Sequence, residues 1–119
     1  MTIAETSRKY DITADTLRYY ERIGIIPPVP RTKSGIRDYT EESCRWIALM
    51  KCLRSAGVRI EALIEYAALC QQGKGTEKRR KEILMEQREL LLTRMNEMQT
   101  SLDRLNYKIE NYEKILHKN

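Results

Sequence analysis

The chain has 119 residues, 41% of them hydrophobic and 33% charged, and 22 basic against 17 acidic side chains leave a net charge of +5. That length predicts one domain, or one small domain plus an extension. A mean hydropathy of -0.62 without a long apolar run excludes a membrane helix, and Met1-Thr2-Ile3-Ala4-Glu5 lacks both the basic and the apolar stretch of a signal peptide.

Thr2-Ile3-Ala4-Glu5 has the form of a capping box and predicts a short helix over about Ile3 to Lys9. Thr13 can cap a second helix, with Asp15 in its first turn, and that helix should end near Gly24 with Pro27 and Pro28 behind it. Two short helices joined so tightly read as a helix-turn-helix. Val29 to Tyr39 loses helical character, and its Lys33-Ser34-Gly35 turn signal predicts a small β-hairpin. Thr40 then caps a third helix closed by Gly57, and a fourth runs from about Ile60 to Gln72.

Thr76 to about His117 contains no glycine or proline and predicts one long helix. From Leu91 its apolar residues step alternately by four and three, through Met95, Met98, Leu102, Leu105, Ile109 and Tyr112 to Leu116. This is the seam of a coiled coil. A single seam cannot bury itself, so it predicts a homodimer; folding back on its own domain is the alternative. The expected division is a DNA-binding domain with a helical connector over residues 1–75 and a dimerisation helix over residues 76–119. The fold class is mainly α.

On a helical wheel, Leu17 and Tyr20 share one side of the second helix, while Asp15, Arg18, Tyr19 and Arg22 share the other. Two guanidinium groups flanking a phenol can fork onto guanine edges or grip phosphates. An ordinary solvated face is the alternative. In the hairpin, Arg37 and Tyr39 are two residues apart and should share a strand face, with Arg31 and Lys33 on the other limb. That basic ribbon reads as a wing gripping DNA backbone, or else as a solubilising hairpin.

On the third helix the expected apolar stripe is Trp46, Leu49, Met50, Leu53 and Ala56, with Lys51 and Arg54 off it as further phosphate contacts. The same wheel places Cys44 opposite the stripe, exposed, and Cys52 on its shoulder. Cys70 falls near the apolar side of the fourth helix. The three cysteines fit no zinc spacing. The sequence therefore predicts no metal, no cofactor, and reduced thiols in a cytoplasmic protein.

Thr16-Leu17-Arg18-Tyr19-Tyr20-Glu21-Arg22-Ile23-Gly24-Ile25-Ile26 resembles the recognition-helix signature of the MerR family of bacterial transcription regulators. Gly35-Ile36-Arg37-Asp38-Tyr39 resembles its wing, and Lys51-Cys52-Leu53-Arg54-Ser55-Ala56-Gly57-Val58 the segment that follows. The resemblance implies a winged helix-turn-helix followed by a long helix that pairs antiparallel in a two-fold dimer. It implies double-stranded promoter DNA as partner, with an over-long spacer that the dimer kinks and untwists. RNA polymerase is then a partner through the shared promoter. Carried onto this chain, the DNA contacts are Thr16, Arg18 and Tyr19, then Arg37 and Tyr39, with Lys51 and Arg54 weaker.

Metal-sensing members of that family place cysteines at the head and beyond the tail of the dimer helix, and residues 76–119 contain none. Since the sequence ends at Asn119, no C-terminal drug-binding domain is expected. Lys51-Cys52-Leu53-Arg54 is similar to a thiol-dependent, aldehyde- or nitrosative-stress-responsive branch of NmlR- and AdhR-type regulators. That likeness, with the basic surroundings of the third helix, makes Cys52 the candidate sensor and Cys70 a second one. A competing reading is a coiled-coil adaptor whose basic surface binds an acidic protein. Catalysis is not expected, because the sole histidine is His117 and no nucleophile or carboxylate constellation accompanies it.

Overall fold

The computed structural model describes residues 1–118, and the described chain is mainly helical: α1 (Ile3–Tyr10), α2 (Ala14–Ile23), α3 (Glu41–Ser55), α4 (Ile60–Gln72) and α5 (Glu77–His117). Thr2 closes a reciprocal capping box with Glu5, and Thr13 and Thr40 each accept from the backbone N–H three residues on. These side chains occupy amide groups that no helical carbonyl can reach. Asp11 ends α1 at φ 51 and Gly24 ends α2 at φ 87, both left-handed. Glycine adopts that conformation without steric cost.

The chain divides into two compact units, one comprising Met1–Gln87 and the other beginning at Arg88. The first unit is built on Leu17, Ile25, Ile26, Ile47 and Met50, all essentially inaccessible, with Ile12, Val29, Tyr39, Val58 and Leu63 around them. α2 and α3 thus share one core with the loop that joins them. α4 contributes Leu63 and Ala67 to the interior, and α5 contributes Ile83. The guanidinium of Arg79 on α5 donates through Nε and a terminal nitrogen to Glu65 on α4, each at 3.2 Å. Those side chains are nearly half exposed, so the pair ties the two helices with modest energy.

The expected hairpin is present in reduced form. Arg31 and Arg37 form one antiparallel bridge, with Asp38 N–H donating to Pro30 C=O at 2.7 Å and Thr32 N–H to Ile36 C=O at 2.7 Å. Pro30 supplies no N–H and the Val29 N–H is spent on Glu21, so this limb offers the other no further backbone donor before the bridge. Gly35 turns the tip at φ 85.

α3 is rotated from its expected phase. Its buried residues are Ser43, Cys44, Ile47 and Met50, whereas Leu49 is 40% exposed. Cys44 is therefore a buried residue, not the exposed one the wheel gave. Ile47 and Met50 define the core side, and Cys44 lies one turn before Ile47 on that side. Trp46 and Leu53 are half-buried at the stripe's margin, and Trp46 packs against Tyr66 of α4 with ring centroids 6.1 Å apart.

In the second unit, α5 continues without interruption. Met95, Met98, Leu102, Leu105, Ile109, Tyr112 and Leu116 are all exposed in the single chain, and Leu91 is half-buried. Leu90, Leu92, Tyr107 and Ile115 add apolar surface beside the seam. No described helix is long and apolar enough to cross a membrane.

Candidate nucleic-acid interface

α2 turns Leu17 into the core and leaves Asp15, Arg18, Tyr19 and Arg22 exposed. The Arg22 guanidinium carbon lies 5.3 Å from the centre of the Tyr19 ring, and an Arg18 terminal nitrogen bonds Asp15 Oδ1 at 3.0 Å. Both pairs are solvent-facing and weak. Each can yield to a phosphate or a base edge.

Thr16 sits at the N-terminal turn of α2, half-buried, with its hydroxyl 2.8 Å from that of Thr13. An open cleft of about 480 Å³ runs beside it, lined by Asp11, Thr13, Thr16, Tyr20, Lys51 and Arg54 among others. The fold thus gathers Lys51 and Arg54 from α3 next to the head of α2. Lys51 Nζ donates to the Tyr10 carbonyl, and Arg54 donates to the Val58 carbonyl at 2.8 Å.

The wing lies alongside. Lys33 and Arg31 are exposed, and Arg31 donates to the Gly35 carbonyl at 2.8 Å, bracing the turn. Of Arg37 and Tyr39, Tyr39 turns into the core, while Arg37 lies half-buried against α2 with only its Nε engaged. Arg37 Nε donates to Glu21 Oε1 on α2 at 2.7 Å, and Tyr39 is 2% exposed within the core. The expectation of Tyr39 as an outward phosphate contact is corrected accordingly. Its ring gains more from burial than from solvent, and its hydroxyl has no hydrogen-bond partner among the described residues.

Glu21 was not anticipated as part of the site. Besides Arg37, it accepts from Val29 N–H through Oε2 at 2.9 Å. Burial pushes its carboxyl up, but the bonds from Arg37 and Val29 and the nearby Arg37 and Arg31 charges outweigh that, so it sits below the ordinary value of 4.5. A signal was available: Glu21 lies one turn from Leu17 on the inward side of an amphipathic helix, where a carboxylate needs a partner.

The thiols differ in setting. Cys52 is exposed on α3, Cys44 is buried, and Cys70 on α4 is half-buried with an Arg80 terminal nitrogen 3.8 Å from its sulfur. Lys51 directs its ammonium to Tyr10, so it is not a partner of the Cys52 sulfur. No group of three or more His, Cys, Asp or Glu side chains that could hold a metal occurs among the described residues.

The profile of the MerR HTH family of regulatory proteins matches residues 1–69, the stretch that carries α1, α2, the wing and α3. The chain belongs to the MerR family. It is 53% identical over 92 residues to the HTH-type transcriptional regulator AdhR of Bacillus subtilis, covering 77% of this chain and 66% of that one. The crystal structure of a MerR family transcriptional regulator from Listeria monocytogenes superposes with a TM-score of 0.93 at 49% identity, covering 95% of this chain and 86% of that one. HiNmlR, described as a MerR family regulator lacking the sensor domain and crystallised bound to promoter DNA, superposes with a TM-score of 0.85 at 30% identity over 95% of this chain and 90% of that one. These MerR relatives share the helix-turn-helix and the long C-terminal helix.

Proposed function

We propose that this MerR family chain is a homodimeric regulator that grips a promoter with two winged helix-turn-helix heads. The observation that carries the reading is the exposed Arg18, Tyr19 and Arg22 face of α2 lying beside the basic wing in a single unit. In a helix-turn-helix the second helix enters the major groove. Arg18, Arg22 and Thr16 are the groove-facing set, and Tyr19 adds a hydroxyl for a phosphate. Arg31, Lys33, Arg37, Lys51 and Arg54 supply backbone contacts, which position the protein without reading sequence. The expected division at 75/76 shifts, because the first turns of α5 pack through Ile83 into the unit Met1–Gln87; that unit is the reading head, and α5 beyond Arg88 pairs two chains through the Leu91–Leu116 seam.

Two heads held at one separation can bend and untwist a promoter whose spacer is too long for RNA polymerase. Such distortion costs about 1–6 kcal/mol in smooth elastic estimates, which distributed phosphate contacts can offset. Cys52, exposed on α3, is the thiol through which electrophiles would alter that distortion.

The test is fluorescence anisotropy with a duplex carrying the promoter upstream of the protein's own gene. Arg18→Ala should weaken binding at least tenfold, and affinity should fall steeply with salt, by a slope near 0.9 per phosphate neutralised. An unchanged affinity in Arg18→Ala, or a flat salt profile, would refute the reading.

A further inference from the structure

The hydrogen bonds that join α2 to the wing all end on a single carboxylate. Glu21 is on the inward side of α2, half-buried, and spends both oxygens on the wing loop: Oε1 on Arg37 Nε at 2.7 Å and Oε2 on Val29 N–H at 2.9 Å. Val29 enters the wing, and Arg37 leaves it, opposite Arg31 in the only bridge that holds the two limbs together among the described residues. No second bridge joins the two limbs among the described residues. The wing's exit limb is tied to Met1, whose ammonium donates to Asp38 Oδ1 at 3.1 Å and to the Tyr39 carbonyl at 2.8 Å and whose carbonyl accepts from Tyr39 N–H at 2.8 Å; on the α2 side the wing's position depends on this carboxylate and on the burial of Val29 and Tyr39.

The same bond sets how Arg37 is presented. Only Nε is engaged, and the two terminal nitrogens have no protein partner among the described residues. The Nε bond restrains the guanidinium and leaves the terminal N–H donors of its planar fork available. An arginine held this way loses less entropy on meeting a phosphate than a free one.

Resting on the DNA-binding reading above, we propose that Glu21 is a positioning residue for DNA recognition: by clamping Arg37 and Val29 it docks the wing at a set angle to α2, so that wing and helix contact one duplex together. Glu21 touches no DNA in this scheme. Its removal lowers affinity by uncoupling Lys33 at the wing tip from Arg18 on the helix.

The experiment is a double-mutant cycle read by anisotropy with the same promoter duplex. Lys33→Ala is made in the wild-type chain and in Glu21→Gln, with helical content checked by circular dichroism at the assay temperature. Glu21→Asp is carried as a second variant, because it keeps the charge but is one methylene too short to reach both partners. The expected result is at least a tenfold loss of affinity in Glu21→Gln and a smaller loss in Glu21→Asp. Lys33→Ala should cost about fivefold in the wild type but less than twofold in either Glu21 variant. Hydroxyl-radical protection should disappear where the wing lies and persist where the recognition helix lies. If Lys33→Ala costs the same in all three backgrounds, Glu21 merely supports the fold and the proposal fails. If Lys33→Ala has no effect even in the wild type, the wing does not touch DNA and the proposal fails while α2 recognition stands. Wild-type protein that does not bind the duplex would remove the DNA-binding reading itself.

Discussion

Arg18, Tyr19 and Arg22 are held outward by what lies behind them. Leu17 is fully buried one position before Arg18, and Glu21 is clamped one position before Arg22. The recognition surface is thus fixed from its inner side by one apolar and one charged anchor. The charged anchor makes a pH-dependent claim. Burial raises the Glu21 carboxyl, the Arg37 and Val29 bonds lower it more, and the net value is below 4.5. A depressed folded-state value means the stabilisation is complete above the unfolded value and is lost as pH falls through the folded one. Thermal melts should therefore show Glu21→Gln less stable than wild type at pH 7, by roughly 1.5–3 kcal/mol for hydrogen bonds to a charged group. The gap should close as pH falls below 4.5. A gap that stays constant into strong acid would show that the carboxylate charge is not what stabilises the wing.

At the scale of elements, the helix boundaries were the most legible feature. Thr2, Thr13 and Thr40 each cap a helix where the sequence placed a cap, because a hydroxyl before an acidic first turn has few other uses. The phase of α3 was less legible. Its apolar residues nearly encircle it, and the choice between Leu49 and Ile47 as inward depends on where α1 and α2 stand, which no local pattern carries. The wing's inner face was missed for a related reason: alternation shows that Arg37 and Tyr39 share a face but not which way it turns. The phase of α3 has a consequence for the thiols. Cys52 is exposed while Cys44 is buried and Cys70 half-buried. Under brief treatment of the folded protein with an electrophile, mass spectrometry should find the label on Cys52 first, and Cys52→Ser should abolish the transcriptional response. Preferential labelling of Cys70, or an intact response in Cys52→Ser, would move the sensor elsewhere.

At the scale of the whole molecule, the chain carries an exposed basic face on α2 and the wing and an exposed apolar seam on α5. Among the seam residues, Met98, Tyr112 and Leu116 are exposed to 65% or more in the single chain. A sustained a/d pattern of this length exposes more apolar surface than a monomer ordinarily carries, and in the proposed dimer a second copy buries it with the same residues on both sides. In the proposed function, two heads at one separation read two half-sites on one duplex, as dimeric helix-turn-helix proteins do. Sedimentation equilibrium of the protein with a fluorescent promoter duplex tests this directly. The predicted result is two 14.1 kDa chains on each duplex, with twice that mass for the protein alone. One chain per duplex, or a lone subunit in solution at the binding concentration, would contradict it.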